Sequence, residues 1–297
     1  MSSSLRPVLI LGAARSGTKF LRRLLEAAPT TAVVPYGVPA VWTRGTDDHP
    51  NDALPRSACT DATAHRIRHE LRRLAQGPSG ASILVEKTSA NTLRVPFVDA
   101  VYPQARFVHL VRDGVDVVES ARRRWEARPG LGYLLRKALY LRGTGLRQGA
   151  RYLWRRLRGM GSSSPSLWGP HYPGMEDDIT KRPLLEVCAK QWRTCVESTL
   201  DALDTLPDER VLSLRYETLV RDPHSVDRLA RFVGVSNAGP MHAFYQQEAQ
   251  ETFVGRGRTQ LSPTERETVA PLLHAPLARL GYREATSPRS PEADPRH

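Results

Sequence analysis

The fold of this chain is decided near its N-terminus, by the stretch Arg6-Pro-Val-Leu-Ile-Leu-Gly12-Ala-Ala-Arg15-Ser-Gly17-Thr18-Lys19. A short apolar run ends at a glycine, and apolar residues then recur at helical spacing to residue 28. In a strand, glycine loop and helix of this kind, backbone N–H groups and the positive end of the helix dipole can meet a phosphate. The stretch therefore predicts a phosphate-binding loop before the first helix.

Three further apolar runs have the character of buried parallel strands, at residues 82–85, 106–111 and 210–214. Stretches with helical spacing separate them, and this alternation predicts a parallel sheet covered by helices on both faces. We expect a three-layer α/β/α fold with a central, mainly parallel sheet. We place a single α/β domain at residues 1–284, with a basic helical insertion at about 122–182 and a disordered tail at 285–297.

The composition is that of an ordinary globular protein with a surplus of positive charge. The 297 residues include 43 Lys and Arg against 31 Asp and Glu, a net charge of +12, and 40% of them are hydrophobic. These values exclude a collagen, a mucin and a coiled coil. The charge favours an anionic partner.

The three cysteines and the apolar runs bear on redox chemistry and location. Cys59, Cys188 and Cys195 form no C-x-x-C or Cys/His cluster with metal-ligand spacing, so we expect free thiols and no metal. The apolar run near the N-terminus is too short for a signal peptide or a membrane span. This pattern predicts a cytoplasmic protein, with peripheral association at a membrane as the alternative.

The loop departs in one respect from the G-x-x-x-x-G-K-[ST] loop of nucleotide triphosphatases. Lysine and threonine stand in the opposite order, as Thr18 and Lys19, and a cation, Arg15, precedes the second glycine. In a kinase the lysine reaches the β and γ phosphates and the next hydroxyl holds magnesium. The order found here favours one phosphate with a transferable group. For the loop alone, an ordinary strand-to-helix turn is the alternative.

A second segment, residues 107–120, brings an arginine and a serine to the same edge of the sheet. An apolar strand ends at Arg112, and the helix that begins near Asp116 returns Ser120 toward it. Ligands of open α/β sheets bind at this edge, and arginine with a hydroxyl partner binds phosphate well. We predict a second phosphate site here. A surface ion pair of Arg112 with Asp113 or Asp116 is the alternative.

Together the two segments resemble the sulfotransferase family that uses 3′-phosphoadenosine 5′-phosphosulfate (PAPS). Residues 14–21 are similar to the family's 5′-phosphosulfate loop, P-[KR]-S-G-T-[TS], although alanine replaces the proline and lysine the last hydroxyl residue. Arg112 and Ser120 match the arginine and serine that hold the 3′-phosphate. The resemblance is strongest to the bacterial and Golgi-type branches, since Glu86-Lys87-Thr88 is similar to their E-K-[TS] segment beside the sulfuryl group.

Two weaker similarities follow in the family's order. Tyr216-Glu217 is similar to the Y-E-D-L stretch beside the adenine, and residues 254–258 stand where a glycine and basic loop closes over the cofactor. The resemblance implies a P-loop-NTPase-like fold and metal-free, in-line transfer of a sulfuryl group from PAPS to a hydroxyl or amine. The implied catalytic residues are Arg15, Lys87 and Glu86. The implied PAPS-binding residues are Arg15, Ser16, Gly17, Thr18, Lys19, Phe20, Arg112, Ser120, Tyr216, Arg256 and Arg258.

The resemblance leaves the general base open. The histidine of the cytosolic branch falls at Ser89, and residues 34–39, where the Golgi-type branch commonly has its glutamate, contain no acid. By type and position the candidates are Glu86 and the cluster Asp-Asp-His at 47–49. The alternatives are a salt bridge from Glu86 to Lys87 or an arginine, and a solvated loop for the cluster.

Most of the surplus charge lies in one segment. Residues 122–158 contain twelve Arg and Lys against one acid, interleaved with Leu, Tyr and Trp. We interpret the segment as a lid that also contacts substrate or membrane. A solvated helical face, a docking surface for an anionic acceptor and an interfacial helix are the alternatives.

The expected acceptor is a small molecule, a glycan or a lipid-linked compound, with peripheral membrane contact through residues 122–158. Nucleic acid is not an expected partner, because no recognisable nucleic-acid module is present. The alternatives to a sulfotransferase are a P-loop kinase that uses ATP and magnesium, and a basic protein that binds nucleic acid or membranes.

Overall fold

The computed structural model describes residues 5–46, 49–127 and 168–282. Five strands form one sheet in the order β2-β3-β1-β4-β5, and every pair of neighbouring strands is parallel. This confirms the expected α/β class and its parallel sheet. The strands are β1 Arg6–Leu11, β2 Thr31–Val33, β3 Ile83–Glu86, β4 Arg106–Val111 and β5 Val211–Arg215.

At least one helix of the described residues separates each strand from the next along the chain, and five helices follow β5. They are α1 Thr18–Glu26, α2 Pro39–Trp42, α3 Asp61–Leu74, α4 Val95–Val101, α5 Gly114–Glu126, α6 Met175–Lys181, α7 Leu184–Leu203, α8 Tyr216–Arg221, α9 His224–Val233, α10 Gly239–Glu248, α11 Arg256–Gln260 and α12 Pro263–Arg279. Short 3-10 turns lie at Arg56–Ala58, Ser89–Leu93, Asp208–Arg210 and Glu251–Phe253. No helix among the described residues is long and apolar enough to cross a membrane.

The two faces of β1 enter different hydrophobic clusters. Val8 and Ile10 pack with α1, α8, α9 and α10, whereas Leu9 and Leu11 pack with α3 and α4. Successive side chains of a strand point to opposite faces, so an unbroken apolar run requires cover on both. A third cluster joins α5, α7 and α12. The result is the expected arrangement of a sheet between two helical layers.

One strand, β2, was not predicted from the sequence. β2 has only three residues, Thr31–Val33, between prolines at 29 and 35, which is too short to show a periodicity. The proposed division into one domain with an insertion remains a prediction. Residues 128–167 of the insertion and residues 283–297, which include the whole tail placed at 285–297, lie outside the described residues.

Candidate active site

Segments that follow four of the five strands meet at the carboxyl edge of the sheet. The loop 12–17 follows β1, Lys87 follows β3, Arg112 follows β4 and Tyr216 follows β5. Because the strands are parallel, their carboxyl ends lie along one edge, which is where ligands of open α/β sheets bind. The fold therefore gathers residues that are up to two hundred positions apart in the chain.

The loop after β1 has an unusual backbone. Arg15 has φ 78° and Gly17 has φ 88°. A non-glycine residue in the left-handed region is uncommon, and such residues cluster at functional sites. Arg112 supports this conformation, since its Nη1 donates to the Arg15 carbonyl (3.3 Å). Gly17 excludes a side chain, because a Cβ there would lie 2.3 Å from the Tyr216 ring.

A hydrogen bond joins the two predicted phosphate segments. Arg15 Nε donates to Ser120 Oγ at 2.9 Å, across 105 residues of sequence. Desolvation lowers the pKa of Arg15 below its ordinary value, and the charges of Arg124, Arg123 and Arg112 lower it further. A guanidinium group stays protonated in proteins, so Arg15 remains cationic at neutral pH. The concentration of positive charge suits an anionic ligand.

Arg112 is held from several sides at the floor of this site. It is 7% exposed, its Nη2 lies 3.3 Å from Asp116 Oδ2, and its guanidinium carbon lies 4.6 Å from the centre of the Tyr216 ring. The ion pair with Asp116, given above as a surface alternative, is thus present but buried. Among the described residues, Arg112 Nε has no hydrogen-bond partner. A buried guanidinium N–H without a partner fits a site that receives an anion.

The chain returns to this site at residues 253–258. Arg112 Nη2 donates to the carbonyl of residue 253. Arg258 Nη2 donates to Asp113 Oδ2 at 3.0 Å. The predicted closing loop therefore does lie beside the predicted 3′-phosphate site. We call the loop 12–17, Arg112, Ser120, Tyr216 and residues 253–258 the phosphate site.

Lys87 and Glu86 differ in their surroundings. Lys87 is half-buried at the end of β3, whereas Glu86 is fully buried. Glu86 accepts hydrogen bonds from Thr88 Oγ1 (2.5 Å) and Asn91 Nδ2 (3.0 Å). Burial raises the pKa of its carboxyl above the ordinary value. This geometry favours a structural role for Glu86, which two neutral donors hold, while the nearby charges of Lys87 and Arg94 lower its pKa against the effect of burial.

Glu86 belongs to a buried polar network. Asn91 Oδ1 accepts from Arg94 Nε (2.9 Å), and Arg94 Nη1 donates to Asp52 Oδ1 (3.3 Å). The Asp52 carboxylate also accepts the N–H of His171 (2.8 Å), and the His171 carbonyl accepts the N–H of Asp52 (2.8 Å). We call Glu86, Asn91, Arg94 and Asp52 the Arg94 network. It ties the segments around residues 52 and 171 to the end of β3.

The remaining predicted residues are less closely tied to the site. Lys19 is exposed on the first turn of α1, and Arg256 is half-buried at the start of α11. The Phe20 ring turns to the hydrophobic core, 5.9 Å from the ring of Phe244. Of the base candidates at 47–49, His49 is exposed, and residues 47 and 48 lie outside the described residues. Within the described ranges, no group of three or more His, Cys, Asp or Glu could hold a metal ion.

Sequence reasoning missed three residues that organise this edge. Asp116 entered only as a surface partner of Arg112, and Asp52 and Arg94 did not enter at all. The spacing of four residues between Arg112 and Asp116 signalled the pair but not its burial. Asp52 and Arg94 offered no signal, since they lie 42 residues apart and match no motif.

Comparison with known proteins gives the class of this chain. The profile of the sulfotransferase family matches residues 7–158, which is more than half of the 297 residues. The chain belongs to the sulfotransferase family. No curated protein matches it significantly.

Solved structures show the same fold. The sulfotransferase from Alicyclobacillus acidocaldarius is 19% identical, with a TM-score of 0.50 over 93% of this chain and 95% of that chain. The sulfotransferase STF9 from Mycobacterium avium is 14% identical, with a TM-score of 0.50 over 93% of this chain and 76% of that chain. The family and the fold inferred from the sequence motifs are thereby confirmed, and with them the expected class of enzyme.

Proposed function

We propose that this protein transfers a sulfuryl group from PAPS to a hydroxyl or amine acceptor by in-line displacement. The observation that supports the proposal most directly is the 2.9 Å hydrogen bond from Arg15 to Ser120. It joins the loop expected at the 5′-phosphosulfate to the serine expected at the 3′-phosphate. A donor with two separate phosphate groups fits a site with two adjoining cationic segments.

Arg15 and the loop amides stabilise the leaving group. PAPS supplies the sulfuryl group; the acceptor atom forms a bond to sulfur and releases its proton to water, while the bond from sulfur to the 5′-phosphate oxygen breaks and PAP leaves. Negative charge then grows on that oxygen, and cations and N–H groups placed beforehand lower the barrier. Of the amides, that of Ser16 already donates to the Ala13 carbonyl (3.1 Å). The amides of Gly17 and Thr18 at the start of α1 therefore carry more of this role.

Arg112 and Ser120 bind the 3′-phosphate, with Tyr216 beside the adenine and Arg256 and Arg258 closing the site. Among the described residues, the buried Nε of Arg112 has no hydrogen-bond partner. It is the donor that the 3′-phosphate would accept from. Charge-assisted hydrogen bonds to phosphate are roughly twice as strong as neutral ones. Discrimination for a 3′-phosphorylated nucleotide follows from this arrangement.

Lys87 acts on the sulfuryl oxygens, and Glu86 positions it. Lys87 lies at the same sheet edge as the loop 12–17, directly after β3, the strand next to β1. Glu86 is closed off by Thr88 and Asn91, so we assign it the role of fixing the end of β3. The acceptor is a small molecule, a glycan or a lipid-linked compound. We also propose a cytoplasmic location, and membrane contact through residues 122–158 on the basis of their basic and aromatic composition.

Thermal unfolding with adenosine 3′,5′-bisphosphate (PAP), the desulfated product, tests the proposal. A ligand at 100 times its dissociation constant adds about 2.7 kcal/mol to stability. We expect a clear rise in Tm for the wild-type protein that disappears in Arg15→Ala and Arg112→Ala. The control Arg279→Ala removes an exposed ion pair away from the site and should keep the rise. No rise at millimolar PAP, or a rise with ATP and magnesium alone, would refute the proposal.

A further inference from the structure

Asp116 is a buried carboxylate at the centre of the phosphate site. It is 1% exposed. Its Oδ2 accepts the N–H of Gly255 (2.8 Å) and its Oδ1 the N–H of Gly257 (2.7 Å). Oδ2 also lies 3.3 Å from Arg112 Nη2. One side chain therefore joins the arginine expected at the 3′-phosphate to the segment that closes over it.

The docking of residues 253–258 depends on close packing as well as on this carboxylate. Gly257 lies so near the start of α5 that a Cβ on it would be 2.4 Å from the carbonyl oxygen of Val115. That oxygen is backbone and has no freedom to move aside. A second ion pair, Arg258 with Asp113 (3.0 Å), lies on the same interface. Asp116 and Gly257 thus hold the segment by two different physical means, charge-assisted hydrogen bonding and shape.

We propose that Asp116 is a positioning residue that docks residues 253–258 against Arg112 and thereby sets the preference for a nucleotide with a 3′-phosphate. The inference rests on the proposed function, because it presumes a 3′-phosphate at Arg112. Asp116 does not itself bind the nucleotide. Both of its oxygens are occupied by the two amides and the guanidinium, so it fixes the direction of these groups.

A competing effect has the opposite sign. A carboxylate near a phosphate repels it, so removing the charge could strengthen binding. The ion pair with Arg112 offsets that charge locally, whereas asparagine keeps only one acceptor oxygen for the N–H groups of Gly255 and Gly257, and its NH2 faces a donor in place of an acceptor. Buried donors without partners are costly, and the segment should move away to hydrate them. We therefore expect the loss of docking to outweigh the relief of repulsion.

The test is the ratio of the dissociation constants of adenosine 5′-monophosphate (AMP) and PAP, measured by calorimetry. In Asp116→Asn we expect this preference for PAP to fall by at least about tenfold, with the affinity for AMP nearly unchanged. Gly257→Ala, which changes no charge, should lower the preference in the same way. The matched control is Asp99→Asn, whose carboxylate pairs with Arg56 and Arg210 near the amino ends of β4 and β5. It should keep the wild-type preference.

Each outcome decides between the two proposals. Wild-type protein that binds PAP no better than AMP refutes the proposed function itself. A wild-type preference for PAP that persists within twofold in Asp116→Asn overturns the positioning role alone. A raised preference in Asp116→Asn assigns the influence of Asp116 to repulsion and also overturns the positioning role. A lowered preference there without one in Gly257→Ala assigns the influence to the ion pair with Arg112 and not to the docking of residues 253–258, and it overturns the role as well. A general loss of folding in Asp116→Asn would weaken the binding of AMP and PAP together, unlike a positioning role, which leaves the affinity for AMP nearly unchanged. In that case the ratio in Gly257→Ala, which keeps the carboxylate, decides: a lowered preference supports the docking role and an unchanged one overturns it.

Discussion

The phosphate site and the Arg94 network meet at the same edge of the sheet but are built on different principles. The phosphate site is made of short motifs whose residue types are dictated by the ligand: glycine at a left-handed position, arginine, a hydroxyl. The Arg94 network is made of charged and polar side chains that are needed only as hydrogen-bond and ion-pair partners of one another. Arg94 and Glu86 are both 0% exposed. Ligand chemistry leaves a pattern in the sequence, whereas mutual satisfaction of buried groups does not.

The largest effect is expected when the Arg94 network is broken. Arg94→Ala leaves Asp52 and Asn91 without their buried partner, and breaking a buried ion pair from one side destabilises a fold by about 3–5 kcal/mol. Urea unfolding measures this directly. Arg279→Ala, whose partners Asp201 and Asp204 are largely exposed, should cost less than about 1 kcal/mol. Equal effects of the two substitutions would remove the contrast between a buried network and surface pairs.

Lys87→Ala should lower the rate of sulfuryl transfer without weakening the binding of PAP at the phosphate site. If Lys87 stabilises charge that develops during transfer, its removal lowers the rate by about 10²–10³-fold, as for loss of one such donor elsewhere. Release of PAP from PAPS, with water or an added phenol as acceptor, measures the rate. PAP affinity should change little, since Arg15 and Arg112 carry it. The control Lys181→Ala alters an exposed lysine paired with Asp177. A loss of PAP affinity in Lys87→Ala equal to the loss of rate would contradict this division.

The two strands that lead to these regions hold buried titratable groups with opposite shifts. Desolvation lowers the pKa of His109, on β4, to about 4. The unfolded chain then binds the proton more tightly, so stability is lost as pH falls from about 6.5 through 4, by about 3 kcal/mol. For Glu86, on β3, burial raises the pKa of the carboxyl in the folded protein. The folded protein then binds the proton more tightly than the unfolded chain, so the stability that Glu86 contributes is lost as pH rises through its titration range.

In His109→Leu we expect the free energy of unfolding to depend less on pH below pH 6.5, because leucine cannot bind a proton in either the folded or the unfolded state. Nδ1 of His109 has no partner among the described residues, so a leucine there loses little hydrogen bonding. Urea unfolding at pH 7 and pH 4 measures the difference in the free energy of unfolding between the two conditions. If that difference is the same in the wild type and in His109→Leu, the buried neutral histidine is not its cause.

The parallel α/β fold and the arginine and serine residues of the phosphate site could be predicted from the amino-acid sequence. The apolar run at 106–111 became β4, which is buried on both faces. The run near 210–214 became the edge strand β5, in which buried and exposed residues alternate. Arg15 and Ser120 were predicted in separate motifs and lie in contact. The network around Asp52 and Arg94 could not be predicted, because a buried charge is tolerated only through partners that the fold brings near.

The sequence by itself determined the class of sheet, the phosphate loop, and the arginine and serine after β4. Each of these depends on local rules: strand periodicity, glycine at a left-handed turn, and the fixed edge at which parallel strands end. Only the tertiary structure decided that Glu86 faces Asn91 inside the protein, that Asp116 faces the amides of Gly255 and Gly257, and that residues 253–258 close on Arg112. Most of those contacts join residues from distant parts of the chain. They stabilise the fold only after packing has brought the groups together and excluded water from around them.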